Sequence, residues 1–327
     1  MPSLRLRGIG YALTGSLMFG LGVILGQIVG REIDVTIIAF AAFLLGGLLL
    51  ALLLPLTGTS FLRLQALTRS DWVQLLLLSG PGTTLPLLLI VSGLSRTSAL
   101  AGGFIVQVNG VAALVFAFIL LRERIRWRQG IGIILLLAGS ALVVWSGAPG
   151  SASGNSLIGD ALIFAGALGI GFCYIPAKRL ASRFATLPLT SLRLLTGAAM
   201  MLPILTFELL LGPSRRFFWD PSAGTLWIAL PVYILTSFCL AYLMQQEGLR
   251  LLMAWEVAAI MQATPLFSAI LALLLLHNTM TAGQAGGGLV AVAGGLIVSV
   301  SESSNTRKGS VRLEKETVDS PVPSRRS

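Results

Sequence analysis

Residues 93–146 and 248–301 are two copies of one sequence, aligned without a gap at an offset of 155 residues. The offset pairs Trp72 with Trp227, Gly93 with Gly248, Gln107 with Gln262, Gln129 with Gln284, Gly132 with Gly287 and Gly139 with Gly294. Both copies are almost wholly apolar. A duplication inside an apolar chain restricts the fold to architectures in which two related halves share one bilayer, the pattern found in membrane transporters.

Of the 327 residues, 55% are hydrophobic and 11% charged, whereas soluble domains carry roughly 25% charged residues. Lipid must therefore solvate most of the surface. A helix needs about 20 apolar residues to cross the bilayer core, and ten segments qualify: 8–29, 35–56, 72–93, 99–121, 130–147, 157–177, 187–211, 224–246, 253–276 and 283–300. The alternating segments of a membrane β-barrel are not present. The expected fold class is all-α integral membrane, with ten transmembrane helices in two five-helix repeats at 1–147 and 157–301. Residues 148–156, rich in Gly, Ser and Pro, read as a linker, and the polar stretch 302–327 as a disordered tail. Arg5 and Arg7 precede an apolar run with no small-residue cleavage site, which marks an uncleaved first helix rather than a signal peptide. Cys173 and Cys239 sit inside apolar runs and read as packing residues, not a disulfide framework.

The net charge of +10 does not point to nucleic acid, because the cations sit in short loops and the tail. With the N-terminus cytoplasmic, 18 of the 23 Lys and Arg fall inside and four outside, while Arg193 lies within a helix. The positive-inside rule then places both termini in the cytoplasm, as expected for a multi-pass protein of the cell membrane. Five helices separate the copies, so equivalent segments cross in opposite directions. The charges agree: the loop after the fourth segment holds Arg122, Arg124, Arg126 and Arg128, and its equivalent 277–283 holds no Lys or Arg. The repeat is inverted, an arrangement that yields inward-open and outward-open states. The first and sixth segments match more faintly, Gly20-Leu21-Gly22 with Gly169-Ile170-Gly171, at an offset of 149.

The run Ser98-Ala99-Leu100-Ala101 to Leu120-Leu121-Arg122-Glu123-Arg124, with Gly130 to Gly139 behind it, and its copy from Ala254 through Thr264-Pro265-Leu266-Phe267-Ser268 to Gly286 and Gly294, resemble the drug/metabolite transporter superfamily. The resemblance is to EamA-type ten-helix exporters and covers about residues 8–301. It implies transport of an organic small molecule. Three positions depart from the pattern or from the repeat. Asn109-Gly110 stands where the second copy has Thr264-Pro265, His277-Asn278 stands opposite Arg122-Glu123, and Ala42-Phe43 occupies the first-half counterpart of Arg193.

Paired helix interruptions are the best sequence pointer to a midplane site. Asn109-Gly110 and Thr264-Pro265 form such a pair, since Pro removes a helical hydrogen bond and Gly loosens the turn. Ordinary kinking is the alternative reading. Gln107 and Gln262 lie just before each interruption and should face the interior and approach one another, to contact substrate or to bond helix to helix. Arg193 lies some six residues into its helix, where charge is rare and often functional, although snorkelling could also reach the interface. Tyr174 and Tyr242, with Trp255, could line an aromatic cavity or serve as interfacial anchors. Glu256 could pair with Arg250, bind a cation or carry a proton, and Glu123, among arginines, suits a salt-bridged interface. Lys178 reads as a boundary charge. The glycines of the fifth and tenth segments suit close helix packing, within the chain or across a homodimer.

These residues support alternating access of a metabolite, amino acid or drug-like compound, in the export direction, with the substrate and the lipid bilayer as partners and with no cofactor or metal. A nucleotide-sugar or phosphorylated-metabolite exchanger would want several cavity cations, and only Arg193 and Lys178 are available. A structural membrane protein is a further alternative. A lipid-modifying enzyme would need a clustered catalytic constellation, which the chain does not offer, and no P-loop for ATP hydrolysis is present.

Overall fold

The computed structural model describes residues 2–30, 33–57, 67–97, 102, 105–123, 127–147, 157–211, 224–276 and 281–300. The linker 148–156, His277 and the tail 302–327 lie outside them. Among the described residues the secondary structure is helical, without strands. The helices are α1 (Pro2–Val29), α2 (Val35–Leu53), α3 (Arg69–Ser79), α4 (Leu85–Leu94), α5 (Val108–Leu120), α6 (Trp127–Gly147), α7 (Leu157–Ala181), α8 (Thr186–Leu211), α9 (Gly224–Tyr233), α10 (Ala241–Leu251), α11 (Ala254–Met261), α12 (Thr264–Leu276) and α13 (Ala282–Val300). Wide π-helical turns join α3 to α4 at Gly80–Thr84 and α9 to α10 at Ile234–Leu240. Among the described residues seven helical stretches are long and apolar enough to cross a membrane, and Val108–Leu120 and Gly130–Leu142 are shorter apolar helices. The chain is an integral membrane protein.

Lipid offers no partner to backbone groups, so every spanning segment must bond within itself. The side chains follow the same logic inside out. Ile134, Phe118, Ile119, Leu274 and Ile228 are exposed, whereas Arg193, Gln245, Gln246, Glu256 and Gln262 are buried. Caps start the helices where the chain leaves a loop. Thr68 and Asp71 close a capping box on α3, with Thr68 N–H donating to Asp71 Oδ2 at 2.9 Å, and the Asp34 carboxylate accepts from Thr36 N–H on α2 at 2.9 Å.

Packing pairs the helices reciprocally. α1 lies against α10 and α12, while α7 lies against α4 and α5; α2 packs on α8, and α6 on α13. In the last pair a Cβ on Gly139 would strike Gly287 O and Ala291 N, and a Cβ on Gly294 would strike Gly132 O and Leu136 N. Gly139 and Gly294, Gly132 and Gly287, and Leu136 and Ala291 are all partners at the 155 offset. Each glycine therefore meets the counterpart of what the other meets, and α6 and α13 run antiparallel. Gly139 and Gly294 thus bring α6 and α13 into backbone contact within one chain.

The first helices correct one sequence expectation. A Cβ on Gly20 would lie 3.2 Å from Thr264 O and 3.0 Å from Ser268 N, and one on Gly171 would lie 2.8 Å from both Asn109 O and Ala113 N. Gly15 likewise abuts Ala241 O and Gln245 N as Gly166 abuts Pro86 O and Ile90. The packing register is therefore 151 residues, pairing Gly20 with Gly171, not the 149 of the Gly-x-Gly match. Glycine position is set by where a neighbouring backbone comes closest, and each first helix carries enough glycines for letters alone to slip by two.

Candidate functional site: a broken-helix joint and a buried arginine

The paired interruptions are joined through Gln262, which meets Asn109 and Gly110. α11 stops at Met261 and α12 begins at Thr264. In between, Gln262 N–H and Ala263 N–H turn to the shorter bonds with Ala259 O and Ile260 O, at 3.1 and 3.0 Å. Pro265 has no N–H for Met261 O, and the Thr264 hydroxyl takes that carbonyl instead at 2.7 Å. In the other half Asn109 Nδ2 donates to Val106 O at 2.6 Å. Asn109 and Thr264, and Val106 and Met261, are partners at the 155 offset. Two unlike side chains thus cover the same carbonyl.

The halves are bonded at this joint. Gln262 is 3% exposed and its side-chain Nε2 donates to Asn109 Oδ1 at 2.8 Å, while its backbone carbonyl accepts from Ser140 Oγ at 2.5 Å. Gly110 is what admits Gln262: a Cβ there would lie 2.8 Å from Gln262 Cδ. Gln262 therefore bonds Asn109 rather than Gln107. Gln107 is half-buried, its backbone carbonyl accepting from Gly110 N–H at 3.2 Å. Thr264 reaches across to Ser16 Oγ on α1 at 3.0 Å. Gln107, Asn109, Thr264 and Pro265 each keep some exposed surface.

Arg193 forms a second centre. It is 3% exposed, so its guanidinium does not snorkel. Nη2 and Nε donate to Thr83 Oγ1 at 2.8 and 3.2 Å, Nη1 donates to Gln245 Oε1 at 3.3 Å, and Cζ stands 4.2 Å from the centroid of the Tyr242 ring. Thr83 lies in the first π-turn, where its hydroxyl also donates to Leu78 O at 2.7 Å. Tyr174 is buried at 3% exposure beside Gln245, and Gln246 donates to Ala177 O at 2.9 Å. Tyr242 continues into an aromatic series, with Phe19 at 5.2 Å and Phe238 at 6.1 Å between centroids. Thr83, Gln245 and Gln246 were not singled out from sequence. The Gln245-Gln246 pair inside an apolar run was the available signal; Thr83 carried none.

Glu256 belongs to neither centre. It pairs with Arg5 at 2.8 Å and caps its own helix through Met253 N–H at 2.9 Å, while Arg250 pairs with Glu247 instead. Glu123 also serves α11. Past the end of α5, Arg122 takes φ 56°, and this left-handed turn sends Glu123 to the N-terminus of α11, where it accepts from Ala254 N–H and Trp255 N–H at 3.0 and 3.3 Å. Burial pushes the Glu123 carboxyl up, against the pull of those two N–H groups and of Lys178. Lys178 Nζ donates to Leu249 O and Leu252 O at 2.6 Å each, closing the end of α10. Trp255 is 1% exposed and packs in the core rather than at an interface. Arg183 pairs with Asp71 at the same end of the bundle.

The EamA-like transporter family model matches residues 6–145 and 157–300. An uncharacterized transporter, YetK, of Bacillus subtilis (strain 168) is 26% identical over 283 residues, covering 86% of this chain and 83% of the relative. An uncharacterized transporter of Methanothermobacter thermautotrophicus is 23% identical over 307 residues, 90% of this chain and 86% of its own. A crystal structure covering 90% of this chain and 97% of its own, at TM-score 0.73 and 18% identity, shares the fold. With a family match across nearly the whole helical bundle, the chain belongs to the EamA-like transporter family of the drug/metabolite transporter superfamily and is a membrane transporter.

Proposed function

We propose that the chain exports an organic small molecule across the cell membrane by alternating access, through a centre between two inverted five-helix repeats that make ten crossings. The observation that carries this is the joint. Both halves break a helix at the same repeat position, cover the freed carbonyl with Asn109 or Thr264, and meet through Gln262. A hinge must change backbone geometry without leaving polar groups bare in lipid, and hydroxyl and amide side chains at the break supply that. The reciprocal, antiparallel contact of α6 with α13 supports inversion.

Gln107, Asn109, Gly110, Gln262, Thr264 and Pro265 form the moving centre in this reading, and Arg193, Tyr174 and Tyr242 its recognition wall. Glu256 ties α11 to Arg5 on α1, so it closes the basic end of the bundle. In this reading that end is cytoplasmic, and the pair holds α1 and α11 together on the cytoplasmic side. The test is uptake and efflux of labelled amino acids and quaternary-ammonium dyes in vesicles holding the full chain, with Gln262→Ala and Asn109→Ala beside wild type. Movement by wild type that both variants lose while still folding supports the centre. Movement that both retain would move the centre elsewhere.

A further inference from the structure

We infer that Arg193 is a carboxylate-recognition site and that the transported solute is an organic monocarboxylate; this rests on the transport reading above and narrows it. Arginine stays charged in any protein environment, and a buried charge costs several kcal/mol unless an opposite charge answers it. Among the described residues its partners are neutral: the Thr83 hydroxyl, the Gln245 amide oxygen, the Cys173 thiol and the face of Tyr242.

Among the described residues the acids are engaged elsewhere. Asp71 holds Arg183, Asp160 accepts from Thr97, Glu123 caps α11, Glu247 holds Arg250, Glu256 holds Arg5 and Asp34 caps α2. Glu208 lies fifteen residues farther along the same helix as Arg193, about 22 Å away.

The repeat supplies an internal control. At the 151 and 155 registers Arg193 corresponds to Ala42, Tyr174 to Val23, Tyr242 to Leu87, Gln245 to Ile90 and Thr83 to Phe238. Gly46 abuts Leu194 as Gly197 abuts Phe43, so the register holds at this very contact. The same helix crossing is thus built twice, once with a polar cluster and once with none. Packing the crossing does not require the arginine, and a ligand that needs its charge does.

The chemistry selects the class. One guanidinium answers one negative charge, whereas a phosphate dianion would want several cations. A planar carboxylate can take two parallel N–H donors from the guanidinium edge while the ring of Tyr242 stays on its face. The bond to oxygen most easily exchanged for it is that to Gln245, the longest of the three at 3.3 Å.

The test uses the full chain in vesicles. The probes are labelled aliphatic, aromatic and amino monocarboxylates, each beside its primary amide, with inorganic phosphate and a quaternary-ammonium dye. Wild type should move at least one carboxylate and its amide about 100-fold more slowly, as expected for losing two charge-assisted bonds. R193Q should lose that carboxylate to a similar degree while keeping its chromatographic and melting profile. R193K, a point charge without the fork, should fall between. If R193Q does not fold, R193K decides: carboxylate transport equal to wild type overturns the inference. A preference for amide or phosphate overturns it too, as does unaltered transport in R193Q. Vesicles that move the dye and no carboxylate overturn this inference and leave transport standing; vesicles that move no probe overturn both.

Discussion

Gln262 donates to Asn109 Oδ1 at 2.8 Å, while Asn109 donates to Val106 O at 2.6 Å. One asparagine therefore mends the break in its own helix and holds the other half. Asn109→Ala should strand Val106 O and the Gln262 amide together, costing about 1–3 kcal/mol for the buried amide. A cycle of Asn109→Ala, Gln262→Ala and the double variant, read by unfolding in detergent, should give a coupling of about 0.5–2 kcal/mol. A coupling of zero would mean that the bond stabilises nothing.

Glycines along α6 and α13 differ in what they do. Gly139 and Gly294 sit where the partner backbone arrives, and Gly130 and Gly286 face open space. Gly139→Leu should cut the yield of monodisperse protein sharply. Gly286→Ala should leave it unchanged, with a gain of up to about 0.5–1 kcal/mol from helix propensity. Equal losses from both substitutions would show that the antiparallel contact does not hold the bundle.

Much of this fold was legible because a repeat exposes itself twice. The close packing of α6 on α13 and the break at Thr264-Pro265 could be read from their glycines and a proline. The register of the first helices could not, because Gly20 and Gly22 look alike as letters and only the arriving Thr264 and Ser268 backbone tells them apart. The π-turn at Ile234–Leu240 has no Pro or Gly to announce it, unlike its counterpart at Gly80–Thr84. Glu123 misled for another reason. Its arginine neighbours in sequence suggested ion pairs, yet its partners are N–H groups 131 and 132 residues away. Long-range caps have no local signature.

The basic end should open and close if access alternates. A Cβ on Gly8 would lie 3.0 Å from Leu251 Cβ, close to the roughly 3.5–4.5 Å that a disulfide spans. With Cys173 and Cys239 replaced, oxidation of a Gly8→Cys, Leu251→Cys pair should stop transport, and reductant should restore it. Transport that continues through the oxidised protein would show that α1 and α10 need not part.

Glu123 gives the fold a pH dependence of known sign. Burial raises its carboxyl above the ordinary value of 4.5. Between the two values the folded chain keeps a proton that the unfolded chain has released, so stability falls as the pH rises through that interval. Glu123→Gln removes the titration and keeps an oxygen for Ala254 N–H. Below the interval the two proteins should melt alike. Above it the wild type carries a buried charge that the variant lacks, so the variant's melting temperature should gain on the wild type's as the pH rises from 4.5. The difference between the two curves isolates Glu123 from the other carboxylates. A wild type that gains on the variant instead would show that Lys178 and the α11 N–H groups outweigh burial.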